Sequence, residues 1–272
     1  MEEFQIQNGD VTLYAKSYGA GPTMLLLHGW PDTGDMWNDV VPLFVESGYR
    51  VVTVDLRGCG KSSKPSEVSD YAMMHLVADV GAVIDAIGEP VILVGHDWGA
   101  SLAWVVATVF ADKVQKLVTI SVGHPTAFRG AGLSQQMKSW YMLLFGMPEI
   151  GEAFLRHNDY EVLREWSKHP HAQKVIDELE RDGQMTTHLN WYRANVPPTA
   201  FLSEPPVLPP ISMPAMGIWS TGDVFLGEEQ MINSADCCSQ GFHYVRLNNY
   251  GHWVAIEAPE LVASEIVKFL TE

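Results

Sequence analysis

The sequence predicts an α/β protein: a mostly parallel sheet flanked by helices, with a helical cap inserted before the last strands. Three observations carry this. Up to residue 125, apolar runs rich in β-branched residues alternate with stretches of helical spacing, and such alternation builds a parallel sheet. From Thr126 to about Pro210 no strand-like run occurs and helix-like stretches take its place. Strand-like runs then resume at Ala215. With 272 residues, 47% of them hydrophobic, the chain can form one large core plus an insertion. The expected division is a core of residues 1–125 and 211–272 and a cap of residues 126–210.

The elements follow in order. After a short N-terminal strand, Val11 to Ser17 alternates as a half-buried strand does, and Gly19-Ala20-Gly21-Pro22 is a turn. Thr23 to Leu27 is continuously apolar, as in a strand buried on both faces, and ends in His28-Gly29-Trp30-Pro31-Asp32. Trp37 to Glu46 reads as a helix and Tyr49 to Val54 as the next strand, closing in Asp55-Leu56-Arg57-Gly58-Cys59-Gly60-Lys61-Ser62. Met74, Val77, Val80, Ile84 and Ile87 give Tyr71 to Ile87 helical spacing. The strand from Val91 enters a Gly-x-Asp-x-Gly turn, and an Ala-rich helix, Ala100 to Phe110, leaves it. Val114 to Val122 is a further strand.

In the cap, helices are expected over Ser134 to Phe145, Glu149 to Arg156, Asp159 to Ser167, His171 to Arg181 and Gln184 to Ala194. The pairs Pro197-Pro198, Pro205-Pro206 and Pro209-Pro210 cannot continue a helix and favour extended linkers. Ala215 to Ser220 and His243 to Leu247 are the last strands, and Pro259 to Leu270 the last helix.

Bulk composition narrows the partners. A net charge of −16 argues against nucleic acid and anionic membranes, which want a basic face. No stretch is apolar for long enough to span a bilayer, and Met1-Glu2-Glu3-Phe4 lacks a signal-peptide core. Cys59, Cys237 and Cys238 are no disulfide framework, so a reducing cytoplasm is expected. The histidines show no zinc spacing.

Chemistry concentrates at Gly95-His96-Asp97-Trp98-Gly99. Two glycines let a strand turn sharply into a helix and push the middle residue out at the strand's end. This is the geometry of the nucleophile elbow, usually built as Gly-x-Ser-x-Gly. Here the projecting residue is Asp97. Asp223 and His252 also follow predicted strands, and the C-terminal ends of parallel strands share one sheet edge, where ligands bind. Nucleophile, acid, histidine is the chain order of α/β-hydrolases. His28-Gly29-Trp30-Pro31 follows the strand expected to supply half of an oxyanion hole, with the Trp30 and Trp98 amides as donors. It would also be a tight turn in its own right. Gly58-Cys59-Gly60-Lys61-Ser62 resembles the tail of a phosphate-binding loop, but the first glycine that motif needs is here Asp55. A tight turn is the better account.

An aspartate in the elbow selects a different reaction from serine's. A carboxylate attacking an acyl carbonyl would form a labile anhydride. At a saturated carbon carrying a leaving group it is a good in-line nucleophile, and the product is an alkyl ester of Asp97. His252, oriented by Asp223, then activates water against that ester. Epoxides and alkyl halides both fit. An epoxide oxygen needs a proton as it leaves, hence acidic hydroxyls opposite the nucleophile. The cap offers Tyr141 and Tyr192, though each also sits where an amphipathic helix places a core aromatic.

These motifs, with Gly58-x-Gly60-x-Ser62, Gly222-Asp223 and Gly251-His252, resemble the epoxide hydrolases of the α/β-hydrolase fold across nearly the whole chain. In that family two cap tyrosines grip the epoxide oxygen. One lies in an aromatic-rich helix a few residues before a proline, as Tyr141 lies before Pro148. The other lies in Asn-Trp-Tyr-Arg, here residues 190 to 193. The resemblance therefore implies that Tyr141 and Tyr192 bind and protonate the oxygen, with Trp30 and Trp98 also lining the substrate site. It implies a small-molecule epoxide substrate and water as partners, no cofactor, and a monomer or homodimer.

The related dehalogenases share the aspartate elbow and are the alternative. Fluoroacetate-type members carry arginines where this chain has Trp98 and Ser101, and a His-Trp pair where it has Tyr141-Met142. Haloalkane-type members share Trp98 but often place Asn where this chain has Trp30. A non-catalytic receptor on the same fold is the remote alternative; such proteins usually lose triad members, and all three are present here. An apolar, medium-sized or aromatic epoxide is the expected substrate.

Overall fold

The computed structural model describes residues 1–204 and 207–272, so the Pro205-Pro206 pair lies outside the described residues. The strands are β1 (Glu2–Asn8), β2 (Val11–Tyr18), β3 (Thr23–Leu27), β4 (Arg50–Asp55), β5 (Val91–His96), β6 (Val114–Ile120), β7 (Ala215–Ser220) and β8 (Phe242–Leu247). They form one sheet in the order β1-β2-β4-β3-β5-β6-β7-β8. The β1–β2 and β2–β4 pairs are antiparallel and the other pairs parallel. Every residue of β3, β5 and β7 is buried, as their unbroken apolar runs require.

Alternate strand residues serve two cores. Leu25, Leu27, Val52, Val54 and Leu93 face α2 (Met73–Ile87) and α3 (Trp98–Val109). Met24, Leu26, Val51, Ile92 and Val94 face α1 (Val41–Glu46) and the C-terminal helix Pro259–Thr271. Between β6 and β7 run α4 (Pro125–Gly130), α5 (Gly132–Lys138), α6 (Tyr141–Phe145), α7 (Ile150–Glu161), α8 (Ala172–Leu179) and α9 (Gln184–Asn195). Two short helices, α10 (Glu228–Ile232) and α11 (Val254–Glu257), precede the C-terminal helix, α12.

Several helices differ from expectation. The helix expected from Trp37 is a 3₁₀ turn, Gly34–Trp37, with α1 starting only at Val41. Pro42 lacks the N–H a longer helix would need there, and sits in the first turn where none is required. Ala72 is extended (ψ 141°), so the helix expected from Tyr71 is a 3₁₀ turn followed by α2. Ser134 to Phe145 is not one helix but α5 and α6, and α4 ahead of them was not expected. The helix expected from Asp159 does not start there. Asn158, Asp159 and Tyr160 take left-handed φ of 47°, 55° and 61°, and a single wide π turn, Val162–Trp166, follows. Asn and Asp accept that conformation more readily than most residues.

The loop after β4 supports α9. Arg57 donates twice to Asp79 on α2, from Nε to Oδ2 and from Nη2 to Oδ1, both at 2.7 Å, with both side chains buried. Thr187 donates to the Gly58 carbonyl, the Gly60 amide donates to Gln184 at 2.7 Å, and Trp191 Nε1 donates to the Arg57 carbonyl at 3.0 Å. The Lys61 amide donates to Asp55 at 2.8 Å. The amides a phosphate loop would offer its ligand are thus engaged by protein, and this loop docks α9. Asp79→Ala would leave Arg57 buried and unpaired. A stability loss of about 3–5 kcal/mol is expected, read from the urea midpoint. A loss under about 1 kcal/mol would show that this pair does not anchor the loop.

Candidate active site

The elbow forms because side chains are missing where backbones meet. A Cβ on Gly95 would lie 2.3 Å from the Gly99 carbonyl oxygen, and one on Gly99 would lie 2.3 Å from that of Leu27. Between them Asp97 is held at φ 51°, ψ −121°, a conformation L-residues seldom adopt and one that clusters at functional sites. Asp97 also stands at the N-terminus of α3, whose dipole favours a carboxylate.

The β3 turn presses against this residue. A Cβ on Gly29 would meet Asp97 Cβ at 2.4 Å, and the Trp30 amide donates to Asp97 Oδ1 at 2.8 Å. His28 fastens the turn: its Nε2 accepts from the Leu56 amide at 3.0 Å and its Nδ1 lies 2.9 Å from the Gly29 carbonyl oxygen. Trp98 opens α3, so its amide has no partner within the helix.

His252 stands between two carboxylates. Its Nδ1 is 2.8 Å from Asp223 Oδ2 and its Nε2 is 3.5 Å from Asp97 Oδ2. Asp223 Oδ1 accepts from the Phe225 and Leu226 amides at 2.8 and 2.9 Å. Burial disfavours a charged imidazole here, but Asp223 and then Asp97 outweigh it and push the His252 pKa up to about 10. Asp223 is held below its ordinary value: burial opposes this, while the His252 charge and the two amides prevail.

Tyr141, at the start of α6, and Tyr192, on α9, line the same cavity as Asp97. Their ring centroids are 6.3 Å apart. The Tyr192 ring meets Trp98 edge-on at 5.1 Å, and Tyr141 packs between Trp166 and Phe225 at 5.4 Å from each. Burial raises both phenols well above their usual pKa, helped by the negative charge of Asp97, so both are protonated. The cavity has a volume of about 420 Å³, and Trp98, Val105, Phe128, Met142 and Leu226 contribute apolar wall. All five residues singled out as catalytic are thus brought together. Trp30 reaches the site through its amide, while its ring packs on Phe145 at 4.8 Å.

Sequence reading gave no role to three further groups. Asp32 is buried with Trp253 Nε1 donating to it at 2.9 Å and His169 Nε2 at 3.2 Å from each of its oxygens. Burial works against its charge, but His169 prevails and lowers the pKa to about 2. Asp32 so ties the β3 turn to His169, between α7 and α8, and to the residue after His252. His96 Nε2 lies 3.0 Å from the His252 carbonyl oxygen, and Ser121 donates to the same oxygen at 3.1 Å. For Asp32 the signal was its place directly after Pro31; for His96, its place directly before Asp97.

An aspartate elbow facing a histidine–carboxylate pair at the C-terminal edge of a mostly parallel sheet defines a class of hydrolase. The chain belongs to the α/β hydrolase fold family, whose profile matches residues 22–259. Among its relatives it is 31% identical to AB hydrolase superfamily protein YfhM of Bacillus subtilis (strain 168), covering 98% of this chain and 97% of that protein. It is 32% identical to epoxide hydrolase 3 of Xenopus tropicalis, over 92% of this chain and 72% of that one. The solved structure of Bacillus megaterium epoxide hydrolase in complex with an inhibitor matches with a TM-score of 0.85 at 27% identity, covering 99% of this chain and 100% of that one. The protein is an epoxide-hydrolase-like α/β hydrolase.

Proposed function

We propose that the protein hydrolyses epoxides to vicinal diols through an ester of Asp97, with residues 126–210 as the cap over the site. The observation that carries this reading is one cavity holding the Asp97 carboxylate and two buried, protonated tyrosines. Asp97 attacks a ring carbon. The C–O bond breaks and its electron pair goes to the oxygen, which Tyr141 and Tyr192 hold and protonate. Negative charge thereby moves from carboxylate to the epoxide oxygen, the place where the phenol protons are needed.

The ester is hydrolysed in the second half. In the resting enzyme the two carboxylates keep His252 protonated. Esterification removes the charge of Asp97, so the imidazole pKa falls and His252 gives up its proton, which through solvent restores the phenol that protonated the epoxide oxygen; His252 is then a base when there is an ester to cleave. It takes a proton from water as the water oxygen attacks the Asp97 carbonyl carbon. The Trp30 and Trp98 amides hold the oxyanion. Asp223 keeps the imidazole oriented. The tetrahedral intermediate collapses, the C–O bond to the substrate breaks, and the alkoxide takes the second proton of the attacking water to leave as the diol, with Asp97 a carboxylate again. The unpaired thiols of Cys59, Cys237 and Cys238 fit a cytoplasmic setting.

The tyrosines separate this reading from dehalogenation, where a halide needs no proton. With styrene oxide as substrate, Tyr141→Phe or Tyr192→Phe alone should lower kcat/KM by about 10²-fold, and the pair together should leave almost none. Normal diol formation by the double variant would remove the tyrosines from the mechanism.

A further inference from the structure

Of the residues that line the Asp97 cavity, only Asp97 and Arg129 carry charge. In a chain of net charge −16, a cation on a cavity wall whose other residues are apolar or neutral polar, apart from Asp97, stands out. Arg57 pairs with Asp79 and Arg193 with Glu152, and Arg50, Lys64, Lys116 and Lys138 donate to hydroxyl or carbonyl oxygens, but none of these lines the Asp97 cavity. Arg129, on α4, pairs with no carboxylate among the described residues. Its protein bonds run from Nη2 to the carbonyl and hydroxyl oxygens of Ser203, at 3.0 and 3.1 Å. A guanidinium has five N–H donors, and among the described residues those on Nε and Nη1 have no protein partner. The neighbouring amides are differently placed. Gln135 uses both amide hydrogens on Ser139 and Phe225, and Asn195 uses both on Tyr71 and Trp191.

We propose that Arg129 is an anion subsite of this cavity, and that the enzyme prefers epoxides carrying a carboxylate at the far end of an apolar body. The substrate part of this rests on the epoxide reading above. Apolar wall between Asp97 and Arg129 accepts the body of such a molecule. Arg129 offers its fork to the carboxylate, and a charge-assisted pair in a half-buried setting discriminates against a neutral end group. The long-range field of an acidic protein repels anions, but at physiological salt it is screened beyond about 8 Å, so local recognition by Arg129 decides.

Two pairs of probes test this: undecanoate with undecanamide, which do not react, and the terminal epoxides of the same acid and amide. Wild type should bind undecanoate about fivefold to tenfold more tightly than the amide, and show the same ratio in KM for the two epoxides at equal kcat. Arg129→Gln should erase the ratio by weakening the acids alone, and Arg129→Lys should restore part of it. Equal affinity for acid and amide in wild type overturns the proposal. So does a preference that survives Arg129→Gln, or a variant that weakens acid and amide alike, as loss of the Ser203 tether would. If undecanoate binds through Arg129 but neither epoxide is opened, the anion subsite stands and the epoxide reading falls.

Discussion

Asp97→Ala is expected to abolish diol formation, with kcat/KM for styrene oxide falling by about 10⁴-fold or more. The loss should be larger than for either tyrosine, because no other group can form the bond to carbon. Asp97 is the residue at the elbow, at φ 51°, and the carboxylate that the Trp30 amide holds at 2.8 Å. Asp223, the other carboxylate on His252, has one oxygen on that histidine and the other on two backbone amides. It has no lone pair aimed at substrate and cannot substitute. The variant should remain folded, since the glycines that shape the elbow are untouched. Far- and near-ultraviolet circular dichroism and the urea midpoint check that. Residual turnover within tenfold of wild type would show that water, not Asp97, attacks the ring.

His252→Gln is expected to have an equally large effect on turnover and the opposite effect on the intermediate. Alkylation needs Asp97 and the tyrosines; hydrolysis needs a base 3.5 Å from the ester. The variant should consume about one equivalent of epoxide and stop, and its intact mass should rise by the mass of one epoxide. Peptide mapping should find that mass on Asp97. The Asp97→Ala protein should take up none under the same conditions. A His252→Gln protein that turns over normally, or that never gains mass, would divorce the histidine from the second half-reaction.

How much of this was legible in the sequence varies with the range of the interaction. The elbow was legible because glycines at close backbone approaches are visible as residue types, and a Cβ on Gly95 or Gly99 would come within 2.3 Å of a backbone oxygen. Asp223 and His252 were legible from chain order and from their places after β7 and β8. The tyrosines were legible only through family resemblance. By spacing alone Tyr141 is a core aromatic, and it does pack against Trp166 and Phe225. Asp32 was opaque because its partners His169 and Trp253 lie 137 and 221 residues away. The cap helices were the least legible. Ser134 to Phe145 is helix-forming throughout, yet it breaks after Lys138, where Gln135 and Ser139 bond to each other and Gln135 reaches the Phe225 carbonyl. Packing onto the core overrides local propensity there. Arg129 gains its meaning only when the cavity wall is known.

The most direct test follows oxygen. A single turnover in ¹⁸O-water, with enzyme in excess over epoxide, should place the heavy oxygen in the Asp97 side chain and release a diol whose new hydroxyl is unlabelled. Heavy oxygen in that first diol, with none in the Asp97 peptide, would contradict the account.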